Sequence, residues 1–140
     1  MLAVVFDVNI LVSAIILKTG KPRDLWLKAV ESEFTLCLSD QIVSEFRNVV
    51  SRKKFAKYVT KHDIQVFTDA LDRIAEFIKV ESTFSFLEED PDDDLILRTA
   101  YDGNVDYIVS GDRHLLSLER FRGIKIVTIG DMLKVLENKS

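Results

Sequence analysis

Three features of the sequence predict an α/β fold built on a central parallel sheet. Short apolar, β-prone runs recur near residues 2–6, 34–38, 106–109 and 124–127. Between them lie longer stretches whose apolar residues return at helical spacing. Strand and helix alternate along the whole chain, and right-handed crossovers then place helices on both faces of the sheet. The length of 140 residues, with 47% hydrophobic and 30% charged content, suits one soluble domain spanning residues 1–140 with a sizeable core. The sequence contains no internal repeat and no low-complexity linker.

The first strand is Leu2-Ala3-Val4-Val5-Phe6, a run of the kind buried on both faces of a parallel sheet, and it ends at Asp7-Val8-Asn9. A helix follows through Ile10 to Ile16 and stops near Gly20. Asp7 and Asn9 interrupt the apolar start, which lacks a basic leader, so strand-into-helix is expected here in place of a signal peptide, and a cytoplasmic protein with no membrane partner. Lys21-Pro22 restarts a helix carrying Leu25, Trp26, Ala29 and Val30. Phe34 to Leu38 is the second strand and holds Cys37, the single cysteine, which reads as a buried structural thiol.

Ser39 or Asp40 caps the next helix, with Ile42, Val43, Phe46, Val49 and Val50 on one face. Glu45 lies about 40° beyond Val49, on the border of that face, where it is either an ordinary exposed residue or one that looks into a cleft beside the sheet. Residues 52–57 predict a short basic helix, and 61–78 a longer one. Phe77 to Val80 fits either the end of that helix or the start of an edge strand. His62 has no second histidine or cysteine at ligand spacing, which argues against zinc. Ser82 to Glu89 reads as a loop with aromatic residues.

Asp90-Pro91-Asp92-Asp93-Asp94 comes next, then the helical run from Leu95. So many carboxylates repel one another unless something positive sits among them, so the segment is a solvated, capped helix start or half of a cation site. If the helix begins at Asp93, a step of about 100° per residue puts Asp93 among the apolar directions and Asp94 beside Arg98. Gly103-Asn104 stops the helix. A strand over 106–109 ends in Ser110-Gly111-Asp112, a short helix carries Leu115, Leu116 and Leu118, and Gly123 precedes the strand 124–127. Gly130-Asp131 opens a final amphipathic helix.

Ligands of open parallel sheets sit outside the carboxyl ends of the strands, and that rule gathers Asp7, Glu45, Asp93 and Asp112. Four carboxylates without a histidine or cysteine partner make a hard-oxygen site suited to Mg²⁺ or Mn²⁺, ions that serve phosphoryl chemistry. Net charge is −4, which argues against nucleic-acid binding through bulk positive charge. The stretch Arg52, Lys53, Lys54, Lys57, Lys61 is nevertheless basic, in the manner of the wet face of a helix.

Asp7-Val8-Asn9, Glu45 in Ser44-Glu45-Phe46, Asp93 in the run 93–100, and Asp112 in Ser110-Gly111-Asp112-Arg113-His114-Leu115 together resemble the motifs of the PIN-domain family. The resemblance runs in order over nearly the whole chain. It implies a three-layer α/β/α sandwich and a Mg²⁺- or Mn²⁺-dependent ribonuclease that hydrolyses RNA phosphodiester bonds to leave a 5′-phosphate. Many small members similar to this chain are VapC-like toxins of toxin–antitoxin pairs, often homodimers inhibited by a cognate antitoxin. By position, the resemblance makes Asp7, Glu45, Asp93 and Asp112 the catalytic, metal-binding acids, with Asn9 and Ser110 in support and Asp94 as a further metal contact. Asp90 and Asp92 are left to turn and cap.

Other readings compete. A receiver domain needs a lysine ending a late strand, whereas Lys125 lies inside its strand. A haloacid-dehalogenase-like phosphatase needs a second aspartate where this chain has Asn9. A catalytically weak PIN-like scaffold that binds RNA or a protein partner is the alternative to an enzyme.

Overall fold

The computed structural model describes residues 1–87 and 90–138. Glu88 and Glu89, at the end of the expected loop, lie outside the described residues. The strands are β1 (Ala3–Phe6), β2 (Thr35–Leu38), β3 (Glu76–Phe77), β4 (Tyr107–Val109), β5 (Arg120–Phe121) and β6 (Ile124–Val127). The helices are α1 (Val8–Ile16), α2 (Lys21–Val30), α3 (Asp40–Val50), α4 (Lys61–Ile74), α5 (Pro91–Asp102), α6 (Arg113–Leu118) and α7 (Ile129–Glu137). The strands form one sheet in the order β3-β2-β1-β4-β6-β5, parallel except for the β5–β6 pair and flanked by helices as an α/β/α sandwich.

β1 is central because its sequence permits nothing else. Val4, Val5 and Phe6 are fully buried, as side chains on both faces of an inner parallel strand must be. Val5 pairs with Cys37 on one side and with Ile108 on the other. Cys37 is buried, and loss of solvent pushes its thiol up to about 11, so it behaves as a small core residue.

Beside the sheet, Phe46 of α3 meets Phe67 of α4 at 5.5 Å between ring centroids, and Phe67 meets Trp26 of α2 at 4.6 Å. Phe46 has no exposed surface. Its replacement by alanine is expected to cost about 3–5 kcal/mol, through lost burial and the cavity left behind. A urea melt of the variant measures this directly, and a change below about 1 kcal/mol would mean that the helices close over the gap.

Helix starts follow local chemistry. The Ser39 hydroxyl accepts from the Ile42 amide at 3.3 Å, and Thr60 and Asp63 exchange side-chain bonds in a capping box. Three boundaries depart from the sequence expectation. The helix expected over 61–78 ends at Ile74, because Ala75 turns extended (φ −79°, ψ 147°) and Glu76–Phe77 joins the sheet beside β2. The Ile78 amide then donates to the Leu38 carbonyl at 2.7 Å, and that edge pairing outweighs helical periodicity. The acidic helix begins at Pro91 and not at Asp93, with Asp90 as its cap. The basic segment contains only a 3₁₀ turn at Lys53–Phe55.

The antiparallel edge strand β5 was not foreseen. It forms a hairpin with β6 across Arg122 (φ 49°) and Gly123 (φ 86°), a two-residue turn with both central residues left-handed. Among the described residues, no helix is long and apolar enough to cross a membrane.

Candidate metal centre

The carboxyl ends of β1 and β4 lie side by side, and the first two acids come from there. The Asp7 amide donates to the Val109 carbonyl at 3.0 Å, which fixes the residue at the strand end. Its side chain is buried, and Oδ2 accepts a 2.7 Å hydrogen bond from the Ser110 hydroxyl. Ser110, itself fully buried, also accepts from the Asp112 amide at 2.9 Å. One hydroxyl thus ties Asp7 to the backbone of Asp112. Burial raises the Asp7 pKa and the nearby Asp112 charge adds to this, while the Ser110 hydroxyl and the amides of Asn9 and Val8 pull it down.

Asp112 and Asp90 occupy helix caps. Asp112 Oδ1 accepts from the amides of His114 (2.8 Å) and Leu115 (3.2 Å) at the start of α6. Asp90 Oδ1 accepts from the Asp93 amide at 3.4 Å at the start of α5. Asp93, one turn further in, is 6% exposed, and its Oδ2 is buried with no hydrogen-bond partner among the described residues. Its pKa is pushed up to about 8, first by burial, then by the hydrogen bond with the Asp90 carboxyl and by the charges of Asp112, Asp90 and Asp7.

These groups line one cleft of about 220 Å³, together with Asn9, Glu45 and Arg52. Asp90, Asp93, Asp112 and His114 each present a ligand atom within 4.8 Å of the others. Crowded acids around a buried, partnerless oxygen fit a divalent cation, because a cation supplies at once the charge and the contact that Asp93 Oδ2 lacks.

Asp7, Glu45, Asp93 and Asp112 are brought to the same cleft, as the sequence suggested. Asp94 is not. It is 2% exposed, and its Oδ1 accepts from the amides of Phe86 (3.0 Å) and Leu87 (2.8 Å), in place of the metal contact expected for it. Arg98, expected beside Asp94, donates instead to the Phe84 carbonyl at 2.8 Å. Both residues fasten the loop before α5. Asp94→Ala is expected to lower stability by about 1.5–3 kcal/mol, whereas Asp94→Asn, which keeps an acceptor oxygen, costs less. Equal losses in denaturant melts of the two variants would contradict this role.

Three residues escaped the sequence reading: Asp90 and Asp92, which line the cleft, and His114, which stands beside its acids. Asp90, expected mainly to turn and cap, does cap α5 and also faces Asp93. The sequence reading placed no histidine among the acids, yet His114 stands beside them, its Nδ1 4.0 Å from Asp112 Oδ1. The signal available was its position two residues after Asp112, at a helix start.

A three-layer sandwich with acids converging at the carboxyl ends of its parallel strands places its cleft where open α/β sheets bind ligands. The PIN domain family profile matches residues 3–114, a span that holds every acid of the cleft. The chain belongs to the PIN domain family. Among solved structures, a chain in the crystal structure of VapBC2 from Rickettsia felis, bound to a DNA fragment from their promoter, matches with a TM-score of 0.62. Identity is 20%, over 91% of this chain and 98% of that one, so the likeness is one of fold. No curated protein sequence matches the chain.

Proposed function

We infer that this PIN domain is a Mg²⁺- or Mn²⁺-dependent ribonuclease, the toxin component of a toxin–antitoxin pair. The observation that carries the reading is the buried, partnerless Asp93 Oδ2, set among the carboxylates of Asp90, Asp112 and Asp7. Asp7, Glu45, Asp93 and Asp112 would hold the ion, Asp90 would stand beside it, and Ser110 and Asn9 would support them. When bound, the ion would supply positive charge to the phosphate oxygens and acidify water for attack on phosphorus.

The chain's own residues define what reaches that centre. Asp7 is oriented by Ser110 and Asp112 by the first turn of α6, so neither carboxylate swings freely. Glu45 also lines the cleft, contributed by α3. Arg52 lines the cleft just after that helix and is followed by exposed Lys53, Lys54 and Lys57, so a phosphate backbone meets cations on its way to the acids. This local arrangement offsets the net charge of −4.

The structural likeness to a chain of the VapBC2 complex supports an antitoxin as partner. A homodimer working in the cytoplasm completes the reading. The decisive measurement is incubation of the purified protein with a mixed RNA pool and Mn²⁺ or Mg²⁺, with an EDTA control. Cleavage is expected only with the ion and only while Asp7 is intact. Full metal-dependent cleavage by Asp7→Asn would sink the assignment, and absence of cleavage by the intact protein with both ions would favour a non-cutting scaffold.

A further inference from the structure

The geometry points to His114 as a ligand of the cation cleft that tilts its preference towards Mn²⁺ over Mg²⁺; this rests on the reading that the cleft holds a divalent ion. His114 lies in the first turn of α6, two residues after Asp112. A ligand atom of its imidazole falls within 4.8 Å of those of Asp90, Asp93 and Asp112. Ligand atoms on opposite sides of one ion stand roughly 4 Å apart, twice a typical metal–ligand distance, so small side-chain rotations close this cluster.

Two further observations single out the residue. Asp93 Oδ2 is buried and partnerless, so the cluster contains an oxygen that awaits a contact. Among the described residues, the only basic group within 4.0 Å of a carboxylate of the cluster is His114 itself. Its side chain is 72% exposed, so packing does not explain its position.

The chemistry follows from the donor atom. Mg²⁺ is hard, demands oxygen and keeps much of its water, and an imidazole nitrogen offers it little. Mn²⁺ has the same charge but accepts nitrogen more readily, and this tendency grows along the first transition row. Carboxylates alone discriminate weakly between the two ions. His114 is therefore the residue of this cleft that separates them.

The test is a titration of the purified protein with Mn²⁺, followed by the free-ion electron paramagnetic resonance signal, with Mg²⁺ affinity obtained by competition. Pulsed spectra of the Mn²⁺-loaded protein report directly on a nitrogen ligand. His114→Ala is expected to weaken Mn²⁺ binding about tenfold, to change Mg²⁺ binding by about twofold or less, and to abolish the nitrogen modulation seen in the parent. His114→Asp, which restores an oxygen donor, should bind both ions without that modulation. Unfolding of each variant in EDTA should match the parent, since the side chain is exposed. A parent spectrum without nitrogen modulation, or an unchanged Mn²⁺ to Mg²⁺ ratio in His114→Ala, overturns the role of His114 while leaving the cation site intact. A parent that binds neither ion overturns the cation reading and this inference with it.

Discussion

Asp93→Asn is expected to raise the stability of the cation-free protein while abolishing its response to divalent ions. In the fold, the Asp93 carboxyl is buried, faces Asp90 and has an oxygen with no partner. An ionised carboxylate there is opposed by burial and by three neighbouring acids. The amide carries no charge, so its burial costs less, and a gain of about 1–3 kcal/mol is expected near neutral pH. The sign with pH follows from the pKa, raised from 3.8 to about 8. Between those values the folded chain holds a proton that the unfolded chain has released. The contribution of Asp93 to stability is therefore full below about 3.8 and is lost as pH rises through about 8. In EDTA, the melting temperature of the parent should fall across this window more steeply than that of Asp93→Asn. With Mn²⁺ present the parent should gain stability and the variant should not, and its RNA cleavage should drop about 100-fold or more. Parallel pH profiles for the two proteins in EDTA would show that Asp93 titrates as an ordinary carboxylate.

Ser110→Ala is expected to separate acids that a single hydroxyl now holds in register. The hydroxyl gives its proton to Asp7 Oδ2 and receives the Asp112 amide, in a position without solvent access. Without it, Asp7 loses the hydrogen bond that most strongly lowers its pKa, and burial pushes the carboxyl further towards its neutral form. Cation affinity should fall about 10–100-fold, the scale of losing a residue that orients a ligand. Stability should fall by about 1–3 kcal/mol from the polar atoms left unpaired. Calorimetric titration with Mn²⁺ measures the first effect and denaturant melts the second. Unaltered affinity in a destabilised variant would confine Ser110 to a structural role.

How legible these features were in the sequence depends on the range of the interactions involved. β1, β2 and β4 were readable because each holds an apolar run of at least three residues that the sheet buries, and β6 because Ile124 and Ile126 alternate with an exposed Lys125 after Gly123. β3, near which the sequence left a helix end or an edge strand open, and β5, which it did not show, are each two residues long and are decided by long-range pairing. Asp7, Asp93 and Asp112 could be placed because strand ends and helix directions are local properties. The place of Asp94 was not legible for a different reason. A helical wheel gives the direction of Asp94 but not its partner, and its partner is the loop segment Phe86-Leu87, which folds back over α5. His114 was passed over because an exposed histidine at a helix start is unremarkable until Asp90 and Asp93 arrive beside it from another part of the chain.

Asp7, Asp90 and Asp112 are each the residue immediately before a helix, α1, α5 and α6 respectively. Three helix N-termini, with their partial positive charge, therefore converge on the acids of the cleft. The backbone supplies a diffuse counter-charge that does not depend on any lysine or arginine. The acids are consequently marshalled by the same turns that start the helices, before any ion arrives. A cation entering the cleft would meet carboxylates already gathered at the starts of three helices.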